Sequence, residues 1–289
     1  MKKIKLYYAD IRNMGDQLNR LLFQDYFGLD IQRSNFLIGE CSAIGSGLDQ
    51  YLFHGNARMR RAQRWYGILK PSVVVWGTGF INYPGRKEEL FLKKNMQFAA
   101  VRGELSRKRA EQLLGRRIDV PTGDAGILAS ELLRELPEKK YDIGIIPHVC
   151  DAKEEKLREL LEEYDNAVLI RLTDEPYHVI RQIASCRTIL SSSLHGLVVA
   201  DSFGIPNQHV VVSGKPLGDG FKFDDYYSAY GVEHRILDLR KEKNHISLEQ
   251  IISAYRITEQ MVWEKKRELL DVFPYKNLTS GVSLSARQI

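Results

Sequence analysis

The chain has 289 residues, a formal net charge of +5, 44% hydrophobic residues and 27% charged residues. That is the balance of a soluble globular protein with a substantial core, long enough for two domains. No stretch reaches the ~20 apolar residues of a membrane-spanning helix. The three cysteines, Cys41, Cys150 and Cys186, are odd in number and widely spaced, which fits a reducing compartment, and they show no metal-ligand spacing.

In chain order, Met1-Lys2-Lys3-Ile4-Lys5-Leu6 briefly looks like a signal peptide. Asp10 and Arg12 interrupt it and no small-residue cleavage site follows, so Ile4 to Ala9 reads as a first strand. Gly15 to Tyr26 reads as a helix with Leu18, Leu21 and Leu22 on one face, and Phe36 to Ile38 as a short strand. Pro71 to Trp76 is a strand, fully apolar over Val73-Val74-Val75 and therefore central. Met96 to Val101 is another, followed by a helix from Gly103 to Leu114. A second series follows Pro121-Thr122-Gly123-Asp124. It has strands at Tyr141 to Ile146, Ala167 to Ile170, Cys186 to Leu190 and Gln208 to Val212. Helices are expected at Ala152 to Tyr164, at Pro176 to Ser185 and after Ser193. Ser247 to Val272 reads as one long amphipathic helix, and Tyr275 to Ile289 as a frayed tail.

This alternation predicts an α/β fold of two Rossmann-like domains facing a cleft. The expected domains are 1–125 and 126–246, with the helix over 247–272 crossing back and a flexible tail over 275–289. Residues 1–125 carry +9 and the remainder −4, an asymmetry that suits an acidic partner on the N-terminal half. The densest basic stretch, Arg58-Met59-Arg60-Arg61-Ala62-Gln63-Arg64-Trp65-Tyr66, is either a solvated face or a contact for anionic lipid headgroups. The positive charge is not joined to a recognisable nucleic-acid-binding module.

Ligands of open α/β sheets sit beyond the carboxyl ends of strands, so the loops there are the places to look for chemistry. Ser191-Ser192-Ser193-Leu194-His195-Gly196 joins a strand to a helix. Its serines can cap the helix, the free N–H groups can hold an anion, and His195 can move a proton near neutrality. In Arg12-Asn13-Met14-Gly15-Asp16, Asn13 or Asp16 either caps a helix or meets a ligand that Gly15 lets approach. Gly77-Thr78-Gly79 and Gly45-Ser46-Gly47 are plain tight turns or cradles for phosphate or sugar oxygens. Neither matches a dinucleotide fingerprint or a P-loop. Arg102 at a strand end can grip a carboxylate or phosphate, or pair at the surface. His148 and Arg171 are similarly placed, and no set of histidines or cysteines has metal-ligand spacing.

Taken together, these motifs resemble the polysaccharide pyruvyl transferase family. The pieces are Asn13-x-Gly15-Asp16, Gly77-Thr78-Gly79-Phe80, Val101-Arg102-Gly103, Gly123-Asp124-Ala125-Gly126 and Ile145-Ile146-Pro147-His148. Ser192-Ser193-Leu194-His195-Gly196 with Asp201-Ser202-Phe203-Gly204-Ile205-Pro206 completes the set. They run in family order over roughly residues 10 to 212. Some members have Arg where this chain has Ser193.

The resemblance implies a fold like that of two-domain (GT-B) glycosyltransferases. It also implies transfer of a pyruvyl group from phosphoenolpyruvate to two hydroxyls of a sugar, giving a cyclic ketal in exopolysaccharide, capsule or cell-wall precursors. The family's important histidine falls on His195 and its donor-binding arginine on Arg102.

On this reading His195, Asp16 and Arg102 are catalytic. His195 is acid, base or phosphate contact, Arg102 grips the donor and Asp16 orients or deprotonates the acceptor. Asn13, Gly15, Gly77, Thr78, Gly79, Arg171, Ser192, Ser193, Leu194 and Gly196 bind substrate. Neither metal nor organic cofactor is called for. The acceptor is expected to be a lipid-linked oligosaccharide, and the protein cytoplasmic, resting peripherally on the inner membrane face through Arg58, Arg60, Arg61 and Arg64. The rival readings are a nucleotide-sugar glycosyltransferase of the same fold and a non-catalytic sugar-binding protein.

Overall fold

In the computed structural model, residues 3–9, 12–53, 61, 65, 72–85, 89–91, 95–241 and 246–279 are described. Arg61 and Trp65 of the basic stretch are exposed. Arg58, Arg60, Arg64 and Tyr66 lie outside the described residues, as do residues 280–289 of the expected tail.

The strands are β1 (Ile4–Tyr7), β2 (Ile31–Ser34), β3 (Cys41–Ser42), β4 (Leu52–Phe53), β5 (Val73–Trp76), β6 (Leu90–Phe91), β7 (Met96–Ala100), β8 (Tyr141–Ile146), β9 (Ala167–Leu169), β10 (Cys186–Ser191), β11 (Asn207–Val211) and β12 (Ile236–Asp238). The helices are α1 (Met14–Leu21), α2 (Glu104–Leu114), α3 (Glu155–Glu162), α4 (Pro176–Ala184), α5 (Leu194–Ser202), α6 (Phe221–Ser228), α7 (Leu248–Ala254) and α8 (Glu259–Asp271). Two five-stranded sheets form, each wholly parallel, in the orders β2-β1-β3-β5-β7 and β12-β11-β10-β8-β9. This is α/β architecture consistent with two Rossmann-like units. A short antiparallel pair, β4 with β6, stands apart.

Each sheet follows the same winding. Its first strand is flanked by the second on one side and the third on the other. The direction of winding reverses between β1 and β3 and again between β8 and β10. Such switch points leave a crevice at the carboxyl ends of the strands. Among the described residues, the loop positions there are 8–9, 12–13 and 43–46 in the first sheet, and 147–148 and 192–193 in the second.

One apolar cluster runs through both halves. It takes Leu6, Leu18 and Trp76 from the first, Ile146, Leu197 and Val198 from the second, and Ile127 and Leu128 from the 3-10 run Ala125–Leu132 between them. Helix α8 ties the halves further. Leu269 O accepts from Trp76 Nε1 at 3.0 Å, while Lys266 Nζ reaches Ser130 Oγ at 2.6 Å, Glu131 Oε1 at 3.1 Å and Ser202 O at 3.0 Å.

Two expectations are corrected. The apolar triplet Phe36 to Ile38 is a turn, because Asn35 Oδ1 accepts from the N–H groups of Leu37 (3.0 Å) and Ile38 (3.3 Å) and bends the chain after β2. The long helix over 247–272 is two helices. Tyr255 leaves the helical path and donates its hydroxyl to Asp201 Oδ1 at 2.8 Å, and Thr258 then caps α8 by accepting from Met261 N. Among the described residues no helix is long and apolar enough to cross a membrane.

Candidate active site at the facing switch points

The start of α1 and the start of α5 meet. Gly15 lies under the His195 ring so closely that a Cβ there would sit 2.0 Å from His195 Nδ1. Gly45, from the loop after β3, approaches the other edge, where a Cβ would be 3.9 Å from His195 Cε1. Met14 N donates to Leu172 O at 2.7 Å, so the loop after β9 is joined to the same helix start. Asn13 caps α1, accepting from Gly15 N at 2.9 Å. Asn13 also lines an open pocket of about 550 Å³ with Arg12, Gln17, Arg20 and Asp174.

The expectation that serines cap α5 is corrected. Ser193 occupies the cap position, but its hydroxyl makes no capping bond. Ser192 Oγ donates to Asp151 Oδ2 at 2.7 Å and accepts from His148 N at 2.8 Å. Ser191 Oγ accepts from Ser193 N at 3.0 Å, and its one proton is shared between the carbonyls of Ile146 at 3.0 Å and Ser193 at 2.9 Å. The first turn of α5 therefore keeps its N–H groups without side-chain acceptors, which leaves a partial positive charge for an anion. Leu194 is buried, and Gly196 packs where a Cβ would lie 2.4 Å from Ser191 Oγ.

His195 is half-buried, and its Nε2 is buried without a hydrogen-bond partner. Burial holds its pKa down to about 3, helped by the positive charges of Lys222, Arg102 and His148. The ring is thus neutral at pH 7 in a positive field. A buried ring nitrogen without a partner, in such a field, is poised for a ligand.

Lys222 was not anticipated from the sequence. It follows β11 at the start of α6, so the strand-end rule pointed towards it. Burial brings its pKa down to about 8, Arg102 adding to the effect. It lines a cavity of about 340 Å³ together with Asp151, Ser192, His209, Leu217 and Arg240. Among the described residues its ammonium forms no ion pair and lies 5.3 Å from the Phe223 ring centroid.

The direct grip expected of Arg102 is not how its guanidinium is used. The side chain is fully buried. Nε donates to Asp225 Oδ2 at 2.9 Å, Nη1 to Gly45 O at 3.2 Å and Ser46 Oγ at 3.1 Å, and Nη2 to Phe80 O. Arg102 therefore ties the turn beside His195 to α6 and contributes charge from behind.

Thr78 is also engaged internally. Its hydroxyl donates to Gly45 O at 2.9 Å and accepts from Gly47 N at 2.8 Å, so the Gly77–Gly79 and Gly45–Gly47 turns brace one another. Gly77 has φ +87° and passes where a Cβ would lie 2.7 Å from Ala125 N.

Asp16, in the first turn of α1, is half-buried; its carbonyl accepts from Asn19 Nδ2 at 3.2 Å, and its carboxylate makes no hydrogen bond or ion pair among the described residues. Burial lifts its pKa to about 6, close to the range of an effective general base. Asp124 Oδ1 accepts from Gly126 N at 2.8 Å, while its Oδ2 is buried and unpartnered. Burial pushes the Asp124 pKa up to about 6 against the pull of Arg102. Arg171 is exposed after β9 and lines neither pocket. Among the described residues no group of three or more His, Cys, Asp and Glu side chains is arranged to hold a metal.

The sequence profile of polysaccharide pyruvyl transferase matches residues 10–214, which includes both switch points. An uncharacterized protein of Acanthamoeba polyphaga mimivirus is 32% identical over 212 residues, covering 69% of this chain and 70% of the viral one. The matched span ends just after β11 and holds Gly15, Arg102, Ser192 and His195 in one continuous region. The chain belongs to the polysaccharide pyruvyl transferase family, a family of transferases.

Proposed function

We propose that this protein transfers the enolpyruvyl carbon skeleton of phosphoenolpyruvate to two hydroxyls of a sugar, forming a cyclic pyruvate ketal and releasing phosphate. The observation that carries this reading is the buried, unpartnered Nε2 of His195 in the first turn of an uncapped helix, within the positive field of Lys222. Phosphoenolpyruvate offers a phosphate and a carboxylate for those N–H groups and that cation. Its enol ester needs a proton at the methylene carbon.

The protons balance simply. The acceptor loses two hydroxyl protons, the methylene carbon gains one as it becomes methyl, and the other leaves with phosphate. A bound dianion raises the pKa of a neutral imidazole in a positive field. His195 then becomes able to protonate the methylene carbon. Asp16, with its pKa near 6 and its carboxylate oxygens free, is the base for an acceptor hydroxyl. Arg102 supplies charge and holds the Gly45 turn, in place of a direct grip on the donor.

The two parallel sheets with meeting switch points support a GT-B-like arrangement. The acceptor in this reading is a lipid-linked precursor of an exopolysaccharide, capsule or cell-wall polymer, met at the cytoplasmic membrane face.

Incubation with phosphoenolpyruvate and a panel of oligosaccharides tests the proposal, with phosphate release and product mass as readouts. A mass gain of pyruvate minus water is expected. Release that persists unchanged in His195→Ala overturns the assignment, and turnover of a nucleotide sugar in its place favours the glycosyltransferase reading.

A further inference from the structure

A chain of polar side chains leads out of the Lys222 cavity. His209, 5% exposed, lines that cavity. Its Nδ1 lies 2.8 Å from His234 Nε2, and His234 Nδ1 lies 2.6 Å from Asp224 Oδ1. Asp224 Oδ2 accepts from the Tyr83 hydroxyl at 2.6 Å, and the Asp224 side chain is 35% exposed. The rings are held for this geometry. His209 stacks on Phe223 at 3.7 Å and lies nearly parallel to His234 at 17°, and His234 stacks on Tyr227 at 5.1 Å.

The order of donors follows from the anchor. A carboxylate only accepts, so His234 Nδ1 carries a proton, and in the neutral ring Nε2 is then an acceptor. His209 Nδ1 must donate to it, which leaves the Nε2 of His209 as a lone pair. That nitrogen has no partner among the described residues. Tyr83 keeps its proton, its pKa pushed up to about 12 chiefly by the bond to Asp224. It therefore fixes one carboxylate oxygen and leaves the other to His234. The charged groups facing the pair are Lys222 and Asp224 from α6, with Glu233, Arg235 and Arg256 around the shallow outer groove that His209 also lines. Burial disfavours the cationic form of both histidines, so the neutral chain is the resting state.

We propose that His209, His234 and Asp224 form a proton relay between the ligand cavity and solvent, with His209 Nε2 as its inner proton acceptor. A proton arriving on His209 Nε2 releases the Nδ1 proton to His234 Nε2. That ring releases its own Nδ1 proton to Asp224 Oδ1, where water can exchange it. Each step breaks one bond to hydrogen and forms one. Return of a proton along the same path to the departing phosphate restores both tautomers, so the relay is unchanged over a turnover. The identity of the proton's source and destination rests on the pyruvyl-transfer reading above; the tautomers and the path do not.

Nitrogen-15 NMR of histidine-labelled protein at pH 7 tests the resting state without turnover. Protonated Nδ1 and unprotonated Nε2 are expected in both His209 and His234. Inorganic phosphate, used as the probe, is expected to shift His209 Nε2 and to leave it unshifted in Lys222→Met. A His209 ring with its proton on Nε2, or one blind to phosphate, overturns the relay whatever the substrate proves to be.

In turnover, Asp224→Asn keeps an acceptor for His234 but cannot take up a proton. We expect kcat to fall roughly ten- to hundredfold, the KM for phosphoenolpyruvate to hold and the solvent deuterium isotope effect to rise. Asp224→Glu is expected to restore part of kcat. An Asp224→Asn protein, folded by its thermal transition, with kcat and isotope effect at wild-type values refutes the relay.

Discussion

Replacing Gly15 with alanine puts a Cβ 2.0 Å from His195 Nδ1, 2.4 Å from Cγ and 2.9 Å from the His195 Cβ. Non-bonded atoms of this kind settle at about 3.5–4.0 Å, so the ring and the start of α1 must part by roughly 1.5–2 Å. A displacement of about 1 Å at a reacting group costs on the order of a hundredfold in rate. The expected loss in kcat/KM is therefore at least about a hundredfold.

Stability responds less. Overpacking costs about 1–3 kcal/mol, offset by roughly 0.5–1 kcal/mol from replacing a helical glycine. The assay is the initial rate of phosphate release with donor and acceptor, beside a thermal unfolding curve. Gly28→Ala is the matched control. Gly28 has φ +65° with open space around its Cβ position, so it costs about 1–2 kcal/mol through backbone strain and leaves the rate alone. A folded Gly15→Ala protein working within threefold of wild type refutes the claim that His195 acts from this position.

Other outcomes follow from the same geometry. Lys222→Met is expected to raise the KM for phosphoenolpyruvate by roughly ten- to hundredfold, with Lys222→Arg restoring part of it. Because the Lys222 pKa lies at about 8, the ammonium is present below that pH, and donor affinity should weaken as pH rises through it in steady-state profiles. His195 starts with a pKa of about 3, so donor binding that raises it must take up protons. Calorimetry near pH 6 in buffers of different ionisation enthalpy should record that uptake, and His195→Gln should abolish it. Asp225→Ala leaves the buried Arg102 guanidinium without its carboxylate, and the thermal transition should fall by the equivalent of about 3–5 kcal/mol.

Much of this arrangement could be read from residues in a row. Val73-Val74-Val75 is an apolar, β-branched run, and Tyr141 to Ile146 and Cys186 to Leu190 each bring isoleucine or leucine to the core while Asp142 and Arg187 pair at the surface; all three are strands of the parallel sheets. The Ser-Leu-His-Gly loop announces a strand-to-helix turn, and it carries the half-buried histidine. What escaped depends on partners far apart in sequence. Arg102 looked free because Asp225, Gly45 and Phe80, which absorb its donors, are each at least 22 residues away. The Ser192 hydroxyl could not be known to turn toward Asp151, 41 positions earlier. Tyr255 breaks the last amphipathic stretch for the sake of Asp201, and no local propensity encodes that bond. Lys222 gains its meaning only from the cavity around it.

The most direct measurement follows the His195 ring nitrogens by NMR while phosphoenolpyruvate is titrated against wild-type and Lys222→Met proteins. The account predicts that the donor shifts Nε2 and raises the ring's pKa from about 3 toward neutrality, and that the Lys222 variant shows neither change at the same donor concentration. His195 resonances that stay fixed at saturating phosphoenolpyruvate, or that move only with a nucleotide sugar, contradict it.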